Sequence, residues 1–300
     1  VAIAIGITPL LLPVILSSCL SKGAVQMSKK KTIVKKLDSV ESFGSMNVFC
    51  TDKTGTLTED KIVLEKYLDI YGNEDIGVLE DAFLNSYHQT GLDGNIDKAV
   101  INRALENGLE YLKNDYLVVD EIPFDFSRRR LSVIVADKSN NKKMITKGAV
   151  EEILNICTKV SYNNQVFDIT NEIKKNIKKI SVSLNKDGLR VIAICKKNVT
   201  SQNDFSVNDE SNMILTGFIG FLDPPKESAA GAIKRMNEAG IRVIVLTGDN
   251  AEVTKCICSK VGIKSKNIVL GSDLDKLTDM AVLRILRRNC RLSRSPSSLP

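Results

Sequence analysis

The densest chemistry in the sequence lies at Cys50-Thr51-Asp52-Lys53-Thr54-Gly55-Thr56-Leu57-Thr58. Asp52 follows Met46-Asn47-Val48-Phe49-Cys50, which reads as a short strand, so its carboxylate stands where α/β sheets bind ligands. A carboxylate placed there, with Lys, Thr and Gly after it, is suited to attack phosphorus: turn N–H groups and a Mg²⁺ ion can hold the phosphoryl oxygens. An Asp before a polar turn can also do no more than close an Asx turn, and a bare Asp-Lys-Thr would favour that reading. The full nine-residue string is far more specific. A second such turn, Thr247-Gly248-Asp249-Asn250, follows Ile241-Arg242-Val243-Ile244-Val245-Leu246, a buried parallel-type strand, and leads into an amphipathic helix through Val261.

These two strand–turn units frame a long insert, 66–216. Its periodicity predicts helices over 78–87, 96–112 and 173–186 and strands over 131–136, 143–146 and 191–196, the mixture of a separate α+β domain. Ahead of the first unit, residues 1–20 form an apolar run with no charge before Lys22, about the length of a membrane span. Lys22, Lys29, Lys30 and Lys31 follow that run instead of preceding it, and no Met opens the chain. A membrane helix is therefore expected over a secretory signal, in a chain that begins inside a longer protein. Pro9 and Pro13 remove two backbone donors, which predicts a local break in this helix and a candidate ion site. The basic stretch 22–43 reads as a helical cytoplasmic stalk.

With 300 residues, 43% hydrophobic and 26% charged, the chain can bury roughly two domain cores and is neither disordered nor collagen-like. The net charge of +6 comes from Lys-rich faces, no basic stripe is interleaved with aromatics and Trp is absent, so nucleic acid is not an expected partner. Seven scattered cysteines fit reduced thiols better than a disulfide framework. Cys256 and Cys258, the only close pair, lack a second ligand pair for zinc and read as helix packing. His88, the sole histidine, reads as structural.

The string around Asp52 resembles the phosphorylation motif of P-type ATPases, and the resemblance runs from residue 1 to about residue 284. Thr8-Pro9 to Pro13 resembles the proline-broken fourth transmembrane helix. Asp223-Pro224-Pro225 and Thr247-Gly248-Asp249-Asn250 resemble the hinge and phosphorylation-domain motifs. Pro123-Phe124-Asp125-Phe126 with Arg128-Arg129-Arg130-Leu131-Ser132-Val133, Lys147-Gly148-Ala149 and Gly188-Leu189-Arg190-Val191 are similar to nucleotide-domain segments. Within the family, Ser21-Lys22-Gly23-Ala24, Thr58 to Leu64 and Asp120 to Phe126 look most like the bacterial magnesium-transporting branch.

The resemblance implies an α/β fold: a Rossmann-like, haloacid-dehalogenase-like phosphorylation domain with an inserted α+β nucleotide-binding domain, preceded by one transmembrane helix. The implied borders are 1–20 for the membrane helix, 21–45 for the stalk, 46–65 and 217–284 for the phosphorylation domain, and 66–216 for the nucleotide domain. It implies Asp52, Lys53 and Thr54 as the catalytic residues. Asp52 takes the γ-phosphoryl group of ATP, and its carboxylate and the Thr54 carbonyl ligate Mg²⁺. Thr56, Thr247 and Gly248 contact phosphate, and Asp249 meets ribose or phosphates. Phe124, with Phe126 as rival, stacks on adenine, and Lys147, Arg190 and Asp97 complete the nucleotide site. Thr54 stands where related phosphatases carry an acid that speeds hydrolysis, which implies a longer-lived aspartyl phosphate. The implied partners are ATP, a transported cation and the lipid bilayer, with ATP and Mg²⁺ as cofactors. The implied location is the plasma or inner membrane, with the catalytic domains cytoplasmic.

The sequence departs from the family in three ways. A phosphate-binding lysine and a Gly-Asp-Gly-x-Asn-Asp loop that completes the Mg²⁺ site are not among these 300 residues. Residues 285–300 turn to Arg, Ser and Pro, which predicts a disordered, aberrant tail on a truncated chain. Leu10 stands where the magnesium branch usually has an acid, and an ion site without that carboxylate binds a divalent cation poorly. The chain by itself is therefore expected to bind nucleotide without turnover. A soluble phosphatase of the related fold is the alternative, disfavoured by the apolar first segment and by Thr54.

Overall fold

A computed structural model describes residues 2–90, 94–199, 204–263, 267–270, 278, 280 and 290–293. It divides into two compact units, 1–50 with 235–243, and 51–234 with 244–300. In the first, helix α1 covers Ala2–Lys29 without interruption at Pro9 or Pro13. The expected break is thus absent from the backbone: each proline deletes one N–H and leaves the carbonyl four residues back unpaired, a local loss that flanking apolar helix formers absorb. The character of the ion site expected around Leu10 lies outside the described side chains. Within α1, Leu11–Lys29 is long and apolar enough to cross a membrane. The stalk is not one helix. α1 stops at a run of adjacent lysines before β-branched Thr32, Ile33 and Val34, Lys31 takes a left-handed φ of 62°, and α2 resumes over Asp38–Gly44.

Strand β1 covers Val48–Asp52, so Asp52 closes the strand as expected. The second unit is built mainly around one eight-stranded sheet, made of β2 (Val63–Leu68), β3 (Tyr116–Asp125), β4 (Arg130–Asp137), β5 (Lys142–Gly148), β6 (Cys157–Tyr162), β7 (Gln165–Asp168), β8 (Leu189–Val199) and β9 (Met213–Leu222). The path runs β3-β4-β5-β8-β9-β6-β7, with β2 also on β9. The sheet begins before residue 66 and ends after 216, because β2 and the second half of β9 belong to it; its limits are therefore wider than those expected for the insert.

Both faces of this sheet are covered, which is why its central strands read as apolar runs instead of alternating with polar residues. Helices α3 (Ile76–His88) and α4 (Asn95–Glu106) supply Phe83, Val100 and their neighbours to a core with Val133, Val135, Ile145, Ile194, Ile219 and Phe221. Ile134, Met144, Ala193, Cys195 and Phe218, one residue out of phase, point the other way. They pack against α6 (Val150–Ile156) and α7 (Asn171–Lys186) through Ile153 and Ile177. The helix expected over 96–112 is split. Asn107 caps α4, Gly108 adopts φ 76°, and a 3₁₀ turn and the short α5 (Leu112–Asp115) follow.

A smaller sheet has the order β1, β10 (Arg242–Thr247), β12 (Cys290–Ser293), β11 (Asn267–Leu270), and helices α8 (Glu227–Glu238) and α9 (Ala251–Lys260) flank β10 in sequence. The strand β12 corrects the expectation for the tail. Four of those residues pair in parallel with β11, and two of them, Leu292 and Ser293, also with β10, because two strands that each present an unpaired edge bind backbone whatever its composition. Residues 271–277, 279, 281–289 and 294–300 lie outside the described set.

Six cysteines among the described residues are unbridged, and Cys258 is buried in α9, as the packing reading expected. Burial, with Cys157 beside it, pushes the Cys195 thiol up and leaves it inert. His88 is half-buried at the end of α3 with its ring edge-on to Tyr87, and burial lowers its pKa, which keeps it a neutral structural group.

Strand β9 has β8 along one side, while β6 and β2 share the other in succession. Gly217 sits at that junction. A Cβ there would lie 2.0 Å from the Leu68 carbonyl oxygen and 2.7 Å from Val78 Cγ2, and neither backbone nor a packed branched side chain can yield that much. Gly217→Ala should destabilise the chain by about 1–3 kcal/mol, as overpacking does. Urea unfolding in detergent, followed by tyrosine fluorescence, reads this directly. An unchanged midpoint would contradict the close packing of β9.

Candidate functional site

The turn after β1 is fixed by its own hydrogen bonds. The amides of Leu57 and Thr58 both donate to the Lys53 carbonyl, at 3.0 and 3.1 Å, and Gly55 supplies the left-handed φ of 72° that the reversal needs. Thr58 is buried, and its hydroxyl donates to the same carbonyl while accepting from the Gly55 amide. Thr54 and Thr56 are left exposed on the outside of the loop. The Asp52 side chain is also exposed, with Oδ1 accepting from the Lys53 amide at 2.7 Å.

Lys53, by contrast, is 0% exposed. Its ammonium pairs with both Asp223 and Asp249. Burial alone would lower its pKa, but hydrogen bonds and charge from those two carboxylates hold it above its ordinary value. Three separated sequence motifs therefore meet on one side chain. Asp223 was not among the expected site residues, although its Asp-Pro-Pro motif was the available signal. Its neighbour Lys226 adds a further bond, from Nζ to the Gly55 carbonyl at 2.5 Å, while backbone bonds from Glu59 to Pro224 and from Lys226 to Leu57 strap the two loops together. Thr247 is buried at the end of β10, where its hydroxyl accepts from the Asp249 amide, and Gly248 is exposed. Asn250 caps α9 through the Glu252 amide.

A second group forms at one end of the large sheet. Lys147, near the end of β5, pairs with Asp97 in the first turn of α4 and donates to Ser86 Oγ on α3 at 3.0 Å. Both charged residues are buried. Burial draws the Lys147 ammonium below its ordinary pKa, and the charges of Asp97 and Glu121 restore only part of it. Residue pairing sets the remaining candidates at the same end: Leu131 lies opposite Lys147, Arg130 opposite Gly148, and Arg190 is the second residue of β8, three positions before Ala193, the partner of Gly148. Phe124 and Phe126 occupy the adjoining β3–β4 hairpin with rings edge to face at 5.3 Å. They are 39% and 85% exposed, so neither is a core aromatic. Arg190 is exposed as well. Asp125, between the two phenylalanines in sequence, is held below the usual carboxylate range by the Ser127 amide first, with Arg128 adding to it. Ser86 and Glu210, described below, carried no sequence signal, since a lone Ser on a helix and a lone Glu in a loop are ordinary surface residues.

For a Mg²⁺ ion the donors fit in kind. The Asp52 carboxylate is exposed and the Thr54 carbonyl lies two residues on, both hard oxygen ligands, while Asp223 and Asp249 are committed to Lys53. Among the described residues no three His, Cys, Asp or Glu side chains are grouped to hold an ion, so water and phosphate oxygens would have to supply the rest of an octahedral shell.

Removing the Lys53 ammonium strands two carboxylates. Lys53→Met should therefore cost about 3–5 kcal/mol of stability. Because the folded pKa is raised, this contribution is whole below about pH 10 and fades only as the pH climbs past it, so the deficit should be constant between about pH 6 and pH 9. Urea midpoints across that range measure it, and a deficit below about 1 kcal/mol would show that the ion triad does not hold the loops.

A family model for the P-type ATPase cytoplasmic domain N matches residues 78–228. The chain is 44% identical, over 98% of its length, to the magnesium-transporting ATPase, P-type 1, of Salmonella typhimurium, and 43% identical over the same share to that of Escherichia coli K12. It is 29% identical, over 93% of its length, to calcium-transporting ATPase 1 of Bacillus cereus. In all three cases it covers 33% of the relative, so it spans about a third of the length of the curated proteins it matches. The Lys147 cluster and the hairpin bearing Phe124 and Phe126 both fall inside the matched segment, which is half of the sequence: the chain belongs to the P-type ATPases.

Proposed function

We propose that this chain is the nucleotide-binding and phosphoryl-accepting part of an ATP-driven cation pump of the membrane, and that the cation is magnesium. The observation that carries the reading is the convergence of Lys147, Asp97, Arg190 and the two exposed phenylalanines at one end of one sheet. Exposed rings offer a stacking surface for adenine, and the cations at the same end of the sheet suit phosphates. The magnesium assignment rests on the relatives with 43–44% identity, which are magnesium-transporting ATPases, and the bilayer assignment on helix α1.

In this reading the sheet of β1, β10, β12 and β11 is the haloacid-dehalogenase-like phosphorylation domain. An Asp52 oxygen attacks the γ-phosphorus of ATP, the bond to the β–γ bridging oxygen breaks, ADP leaves, and water later releases phosphate from Asp52. Thr56, Thr247 and Gly248 are suited to hold phosphoryl oxygens, and Lys53 positions the Asp223 and Asp249 loops around the acceptor. Asp52 and the Thr54 carbonyl would hold Mg²⁺, which supplies charge neutralisation for the transferring group. Thr54 offers no carboxylate to activate water, which favours a persistent phosphoryl-enzyme.

The 300-residue chain in detergent should bind ATP with Kd in the millimolar range, about −4 kcal/mol, without needing metal. Lys147→Ala should weaken it roughly tenfold by calorimetry. Equal affinity in the variant would remove Lys147 from the site. Incubated with γ-labelled ATP and Mg²⁺, the chain should accumulate no acyl phosphate, because the Lys53 ammonium is already paired and, among the described residues, Asp52 and the Thr54 carbonyl are the metal ligands at the acceptor. Hydroxylamine-sensitive label that vanishes in Asp52→Asn would show these residues to be sufficient.

A further inference from the structure

Glu210 lies in the loop that enters β9, outside every motif discussed so far, and its side chain is 0% exposed. One carboxylate there serves two guanidinium groups. Oε2 accepts from Arg128 Nη1 at 2.6 Å and from Arg130 Nε at 2.7 Å, while Oε1 accepts from the Ser132 hydroxyl at 2.6 Å. Ser132 in turn is 2.7 Å from Thr146 Oγ1, the residue before Lys147. Arg128 reaches further: Nη2 donates to the Pro123 carbonyl at 2.8 Å and Nε to Asp125 Oδ2 at 3.3 Å, so its guanidinium bonds to both neighbours of Phe124. The turn it holds is a constrained one. Arg129 sits at φ 49°, a conformation rare for a long side chain, and its amide closes the reversal on the Asp125 carbonyl at 2.6 Å.

We infer that Glu210 is a positioning residue for nucleotide binding, acting through Arg128 to fix the hairpin that presents Phe124 and Phe126. The inference rests on the nucleotide-site reading above. Without the carboxylate, two like-charged guanidinium groups face each other in a partly buried space and Arg128 loses the anchor that keeps it across the turn. A stacking surface works only if its rings are held in place before the base arrives, since ordering them on binding subtracts from affinity. With three bonds to protein, Arg128 serves the aromatic turn and not the phosphates.

The experiment compares ATP with inorganic tripolyphosphate, which has phosphates but no base, by calorimetry on the full chain in detergent. Glu210→Gln keeps the shape and one acceptor oxygen while removing the charge and turning the other oxygen into an NH2 donor, and Arg128→Lys keeps the charge while removing the fork. Each should raise the Kd for ATP about tenfold, the scale of one charge-assisted hydrogen bond, and leave that for tripolyphosphate within about twofold. Lys147→Ala is the control that weakens both ligands. Parallel loss of both ligands in Glu210→Gln and Arg128→Lys would mean a merely structural role, and unchanged ATP affinity would mean none, so either result overturns the inference while wild-type binding leaves the nucleotide reading intact. No ATP binding by the wild type would overturn that reading and this inference with it.

Discussion

An ammonium taken out of water must have a carboxylate beside it, and that requirement organises both functional ends of the larger unit. Lys53 is buried in the turn after β1, and Asp223 and Asp249 are drawn to it from loops that are 170 and 196 residues further along by sequence number. Lys147 is buried at the end of β5, and Asp97 and Ser86 are drawn to it from two helices. In each case a charge that could not be left alone fixes the spacing of elements carrying the candidate chemistry. Asp52, the proposed acceptor, stays exposed, as a group that must meet substrate should.

A related device operates with the signs reversed at Glu210, where a buried anion collects Arg128 and Arg130. Each of these clusters lies at the end of a strand and not in its middle. The sheet interior is filled by Val133, Ile134, Val135, Met144 and Ile145, alternating to two faces, and has no room for a polar group without a partner. Rigidity thus comes from apolar layers and specificity from charges clustered where the strands stop.

Much of this was legible before the fold was known. The strand before Asp52, the helix after Asn250 and the strands around Val133, Ile145 and Ile194 follow from apolar periodicity, and the proposed phosphoryl chemistry rests on one nine-residue string. What was not legible has physical causes. Met213–Leu222 is apolar enough to be a strand, but an insert border drawn at 216 split it, because its two partners β6 and β2 come from opposite ends of the insert. Pro9 and Pro13 predict a break from local sterics, whereas the helix continues through both. The residues from Cys290 to Ser293 pair by backbone, to which composition is blind. Lys53 reads as a catalytic cation beside Asp52, yet its partners are two acids whose sequence distance hides them. Glu210 illustrates the general limit: a single acid in a loop acquires meaning only from the arginines that fold back to it.

In the proposed function adenine lies against the β3–β4 hairpin, at the end of the sheet that carries Lys147. Photolabelling of the intact chain with 8-azido-ATP, followed by peptide mapping, tests it most directly. The account predicts label confined to peptides from β3 to the end of β5, suppressed by excess ATP. Label that ATP suppresses equally but that maps outside those strands would contradict it.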